Sequence, residues 1–148
     1  MLALEEPSLA DLNTYLVDSD PGVRRTAVAT LVEHLPDGYQ PALVAALADD
    51  DPGVRRETAD AVRELVEVLP DPGAFLDRLE SEDPVVRAVT VYLVSSRRVG
   101  SAEAYRTAST DTDHRVRIEA VRALVSVDDH TGVAAATTDE NREVRIAA

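Results

Sequence analysis

The sequence has no cysteine, no lysine and no tryptophan, and only one phenylalanine beside four tyrosines. Without cysteine, neither a disulfide nor a thiolate metal site can hold the fold together. No apolar run approaches the ~18 residues that a membrane helix needs. The opening stretch MLALEEPSLADLN carries neither the basic start nor the long apolar core of a secretory signal. These absences predict a soluble, cytoplasmic protein with no membrane segment. Histidine is sparse too. His34 follows Glu33, His114 sits in a turn and His130 follows Asp129, so none belongs to a cluster with ligand spacing, and no metal site is expected. There is no Gly-x-Ser-x-Gly, no glycine-rich phosphate loop and no Ser/His/Asp set that stands out. Paired acids such as Asp49-Asp50-Asp51 read as a solvated turn plus a helix cap. The expectation is a non-enzyme with no catalytic residue and no cofactor.

The charge is one-sided. All 15 basic residues are arginine, and 28 acids bring the net charge to −13. Residues 1–83 hold 19 acids and 6 arginines, a balance of −13, whereas residues 84–148 hold 9 of each and balance to zero. Such a chain opposes the approach of phosphate, so no nucleic-acid partner is expected.

What the sequence does have is repetition. DPGVRR stands at Asp20 to Arg25 and again at Asp51 to Arg56. A looser form recurs as Asp83-Pro-Val-Val86-Arg87, Asp113-His-Arg-Val116-Arg117 and Asn141-Arg-Glu-Val144-Arg145. The valines lie 31, 32, 30 and 28 residues apart, a period that marks stacked repeats. Asp or Asn suits the N-cap, where its side-chain oxygen accepts from an unpaired amide. Proline suits the first helical position. The valine opens an apolar stripe: Val54, Thr58, Ala61, Val62 and Leu65 in the second copy, Val116, Ala120, Ala123, Leu124 and Val127 in the fourth. That spacing is helical.

The arginine is the puzzle. A cation in the first turn faces the positive end of the helix dipole, yet Arg24, Arg55, Arg87, Arg117 and Arg145 all accept the position. A standing partner is implied. The capping residues Asp20, Asp51, Asp83, Asp113 and Asn141, of the same or the neighbouring unit, are the natural choice and would give one ladder rung per repeat. A row of arginines for phosphate or an acidic partner is the functional counter-reading.

Shorter apolar segments lie between the phrases: Leu9-Leu12-Leu16, Leu43-Leu47, Phe75-Leu76-Leu79, Tyr105-Ala108 and Val133-Ala136. Ser8 and Asp11 suggest a capping box for the first. Each unit is thus a short helix, an Asp-Pro turn and a longer helix, over roughly residues 8–36, 39–69, 72–98, 101–128 and 130–148. All five would belong to a single domain spanning 1–148.

The stretch LVAALADDDPGVRRETADAVREL and its relatives resemble HEAT repeats, specifically the short HEAT-like repeats of the phycobilisome-lyase type. The resemblance covers about residues 8–148. It implies an all-α fold, a right-handed α-α superhelix of about five hairpins, in a family made mostly of protein-binding scaffolds with a few enzymes. Of those enzymes, the di-iron deoxyhypusine hydroxylase needs His-Glu pairs that this chain lacks. The HEAT-like DNA glycosylases need a basic groove. The bilin lyases share the repeat, but nothing here marks a chromophore pocket. Composition also resembles that of proteins from extremely halophilic archaea, with acidic high-GC bacteria as the alternative source; at molar salt the Debye length of about 3 Å screens acidic self-repulsion.

Within the resemblance, a partner lies on the concave face of the longer helices. Six residues past the phrase valine come Ala29, Asp60, Tyr92 and Arg122. Tyrosine and arginine are enriched at binding hot spots. The expected patch is Tyr92, Arg97, Arg98, Ile118 and Arg122, on the part of the chain without net charge. The plainer alternative is that Tyr92 packs on a neighbouring helix and the arginines cap a helix C-terminus. The last helix stops at Ile146-Ala147-Ala148, which raises self-association or a partner contact there. The leading expectation is a non-catalytic adaptor binding a protein or peptide, in a signalling or motility assembly. The rival is a small bilin or tetrapyrrole lyase or a lyase accessory.

Overall fold

The structure, a computed structural model, describes residues 6–148. They are helical throughout, with no strand among the described residues. The chain forms two compact units, Met1–Glu64 and Leu65–Ala148.

The first unit holds α1 (Leu9–Leu16), α2 (Pro21–His34), α3 (Gln40–Ala46) and α4 (Pro52–Glu64). The capping box at α1 is formed: Asp11 N donates to Ser8 Oγ at 3.2 Å, and Ser8 N donates to Asp11 Oδ2 at 2.9 Å. Asp20 and Asp51 cap the two longer helices, accepting from Gly22 N and Val54 N. Proline follows each as the first helical residue, where its missing N–H costs nothing. The stripe of α4 is buried throughout: Val54, Thr58, Ala61, Val62 and, just beyond the helix, Leu65. Thr58 is tolerated there because its hydroxyl donates to Val54 O at 2.7 Å. Helix α2 packs on α1 and α4, and fully buried Leu31 and Leu43 lie in the core of the unit.

The second unit begins its helical-hairpin repeat with a 3-10 segment, Pro72–Glu80, where the apolar pattern predicts a short helix. Winding at three residues per turn puts side chains three apart on one edge. Pro72 and Phe75 are spaced that way, and both are buried. Then come α5 (Pro84–Ser96), α6 (Ala102–Ala108), α7 (His114–Ser126), α8 (His130–Ala136) and α9 (Arg142–Ala147). Asp83, Asp113 and Asn141 cap the longer helices, accepting from Val85 N, Arg115 N and Glu143 N at 2.8–2.9 Å. One core cluster joins α5, α6 and α7 through Val91, Val94, Tyr105, Val116 and Leu124. A smaller one joins α7, α8 and α9 through Val121, Ala136 and Val144. The Tyr105 ring lies flush against Gly100; a Cβ there would collide with the phenol. Burial pushes the Tyr105 hydroxyl pKa up, against a smaller pull from its bond with the Gly100 backbone.

Candidate functional site

Three of the phrase arginines, Arg24, Arg87 and Arg117, have a carboxylate partner, and in these three it is not the capping residue. Arg24 forks onto Asp49, with Nε to Oδ2 and Nη2 to Oδ1 both at 2.9 Å. Arg87 does the same to Asp111 at 2.8 and 2.9 Å, and Arg117 to Asp139 at 2.9 and 3.1 Å. In each case the carboxylate stands two residues before the next cap. Bidentate pairs of this kind combine geometric fit with charge.

The remaining nitrogen works locally. Nη1 of Arg24 donates to the carbonyls of Asp18 and Ser19. Arg55 reaches Asp49 and Asp50, Arg87 reaches Ser81 and Glu82, Arg117 reaches Asp111 and Thr112, and Arg145 reaches Asp139 and Glu140. The guanidinium therefore folds back off its helix and lies on the preceding turn, where unpaired carbonyls welcome it. That resolves the conflict with the helix dipole.

The rung carboxylate has a second duty. Asp18, Asp49, Asp111 and Asp139 each accept the backbone N–H of the cap two residues on, at 2.8–2.9 Å. Ser81 takes that position before Asp83 and supplies its hydroxyl at 3.2 Å. The sequence carries the signal as Asp-x-Asp or Asp-x-Asn immediately upstream of four of the five phrases; a reading that starts the phrase at the cap misses it. Burial alone would raise the Asp49 and Asp111 carboxyls, but the arginine and amide hydrogen bonds outweigh it and hold both below the usual range. Asp139 is lowered chiefly by its bond from Arg117. Asp113 pairs with Arg115 in its own turn, and that bond brings it down to about 2.

The expected partner patch separates in the structure. Helical geometry at 100° per residue puts positions two, six and nine past the valine on one face and position eleven on the other. Arg97 occupies position eleven. It turns inward and donates Nη1 to Val66 O at 3.1 Å and Leu69 O at 2.8 Å, so it ties a preceding turn instead of facing a partner. Arg98 follows the helix in a left-handed turn, φ 57°, and is exposed. Ile118 packs partly against the α7–α9 cluster. Tyr92 is half-buried on α5. Arg122 is exposed on α7, 3.4 Å from Glu119, with Val125 half-exposed one turn further on. Tyr92 and Arg122 hold the same register on two helices that pack together.

Of the histidines, His34 Nε2 lies 4.0 Å from Glu33, while His114 and His130 open α7 and α8. No group of three metal-capable side chains occurs among the described residues. No helix among them is long and apolar enough to cross a membrane.

Short helix, capped turn, longer helix, with an arginine tying one turn to the next: these features define a helical-hairpin repeat protein. A family model described as HEAT repeats matches residues 9–89, more than half of the chain, and the chain belongs to that family. No curated protein matches it. Among solved structures, E. coli YibA superposes with a TM-score of 0.66 at 19% identity, over 92% of this chain and 54% of YibA. The chain thus spans about half the length of that relative. An engineered protein gives a TM-score of 0.56 at 22% identity, over 93% of this chain and 74% of its own. At these identities the likeness carries the fold alone.

Proposed function

We propose that this HEAT-repeat chain is a non-catalytic adaptor that binds a protein or peptide on the outward face of α5 and α7. The carrying observation is that Tyr92 and Arg122 occupy one column on adjacent packed helices, beside exposed Val125. An aromatic and an arginine in register, next to apolar surface, form the kind of anchor that dominates interface energies. Ile118 borders the same column; Arg97, committed to backbone carbonyls, does not belong to the surface. The recurring arginines Arg24, Arg87 and Arg117 support the scaffold reading, because their donors serve turns and rung carboxylates in place of a ligand.

Affinity capture from cell extract in molar salt tests the reading. Tyr92→Ala with Arg122→Ala should abolish a capture that the parent chain makes. Capture that survives both substitutions removes this surface. A visible absorbance band on incubation with bilin or haem would favour tetrapyrrole handling over the adaptor.

A further inference from the structure

Two rungs lie in grooves that hold the same register in the repeat. In the first unit, Arg24 and Asp49 stand beside Val28 and Val54 in a groove of about 240 Å³ whose walls come from α1 and α3. In the second, Arg87 and Asp111 stand beside Val91 and Val116 in a groove of about 320 Å³, walled by the 3-10 segment and α6. Leu16 and Ala46 line the first, and their counterparts Leu79 and Ala108 line the second. The frames match, but the rims do not. Val17, exposed, edges the first groove, and Glu80 takes its place on the second. Ala45 gives way to Thr107, and Glu103 lines the second groove at the position that Pro41 holds in α3.

Glu80 and Glu103 carry charge that nothing nearby matches. Both are exposed, and neither carboxylate meets a cation or a hydrogen-bond donor among the described residues. The other polar groups of the groove are committed. Arg87 is held by Asp111 and by the carbonyls of Ser81 and Glu82. Ser101 Oγ accepts from Ala104 N, and Thr107 Oγ1 donates to Glu103 O. The groove is thus apolar along its walls, neutral at its rung and doubly negative at its rim.

We propose that this second groove docks an arginine side chain from a basic segment of a partner protein. The occupant follows from charge complementarity and from the apolar walls. A methylene stem covers Leu79, Ala104 and Ala108 while the charged head keeps to water. The planar guanidinium has donors on more than one edge, so it serves two carboxylates at once where a point charge would not. The net charge of −13 draws such a segment toward the chain before contact. The groove shares no residue with Tyr92, Arg122 and Val125, so the inference stands or falls independently of the α5–α7 surface.

The test is a titration of the isotope-labelled 148-residue chain, followed by proton–nitrogen correlation NMR, with millimolar acetyl-Gly-Gly-Arg-Gly-Gly-amide. Saturable shifts are expected at the amides of Glu80, Ala104 and Thr107, and none at their counterparts Val17, Ala42 and Ala45. Citrulline in place of the peptide's arginine keeps the shape and removes the charge, and should abolish the saturable shifts. Glu80→Gln and Glu103→Gln should each weaken binding about threefold, and together about tenfold, the scale of exposed ion pairs. The same spectra establish that the variants are folded. Four results would each overturn the proposal: no saturable shift in the second groove, equal shifts in both grooves, a citrulline peptide that binds as well, or a double variant of unchanged affinity.

Discussion

Helix α7 and helix α2 grow from the same phrase and end up in different surroundings. Both start with a capping aspartate, an arginine on the preceding turn and a valine opening the stripe. Helix α7 packs on α5 on one side and α9 on the other and buries seven residues: Val116, Arg117, Glu119, Ala120, Val121, Ala123 and Leu124. Helix α2 packs on α1 and α4 and buries three: Ala27, Val28 and Leu31. The lesson is that the stripe specifies a helix, while burial on its flanks is conferred by the hairpin stacked there, as expected for repeats stabilised through nearest-neighbour interfaces.

The sharpest break of that comparison uses the arginines. Arg117, its side chain 10% exposed, joins two turns and one carboxylate; among the described residues, the Arg145 side chain hydrogen-bonds its own turn alone. Arg117→Ala leaves Asp139 and two carbonyls without their donor, and should cost about 2–3 kcal/mol, the scale of hydrogen bonds to charged groups. Arg145→Ala should cost below about 1 kcal/mol, as exposed polar contacts do. Urea unfolding of both variants measures the difference. Equal losses would show that the carboxylate half of the rung adds nothing.

A smaller effect separates the valines. Val116→Ala removes two methyl groups from a site 1% exposed, and should cost about 2 kcal/mol once the cavity is included. Val23→Ala, at a half-exposed site, should cost under about 1 kcal/mol, because water already reaches part of the side chain. Thermal unfolding of the two variants decides it. A Val23 variant as damaged as the Val116 variant would mean that this face of α2 is covered in solution.

Much of this was legible in the sequence, and the parts that were not share a cause. The period, the caps and the stripes are local, so Asp20, Asp51, Asp83, Asp113 and Asn141 could be placed from their neighbours alone. The rung was half legible. Five arginines in a dipole-unfavourable position demanded a partner, but for Arg24, Arg87 and Arg117 it lies 22 to 25 residues on and is set by how hairpins stack. Arg97 shows the same limit. Its position on the core side of α5 was countable from the sequence, yet only the turn at Val66 and Leu69 explains why a charge is accepted there. The 3-10 winding of Pro72–Glu80 followed from which residues had to be buried together, a tertiary fact.

The mildest lever is pH, and it acts unequally on the two units. The first has one arginine-paired rung carboxylate, Asp49; the second has Asp111 and Asp139, and Asp113 besides, at about 2. All four sit lower when folded than the ~3.9 of an aspartate in the unfolded chain. For groups depressed by folding, the stabilisation is fully present well above the unfolded value and is lost as pH falls through the folded one. Stability should therefore hold from neutral pH to about pH 5 and decline from there toward pH 2. Protonation then removes the acceptor that Arg87 and Arg117 share with the cap amides, so the second unit should lose more amide protection than the first in hydrogen exchange at pH 3. Equal loss in both units would mean that the rungs contribute little beyond the packing they accompany. Asp139→Asn sharpens the point: it should flatten the acid limb for α7 and α9 while leaving that of α2 and α4 unchanged.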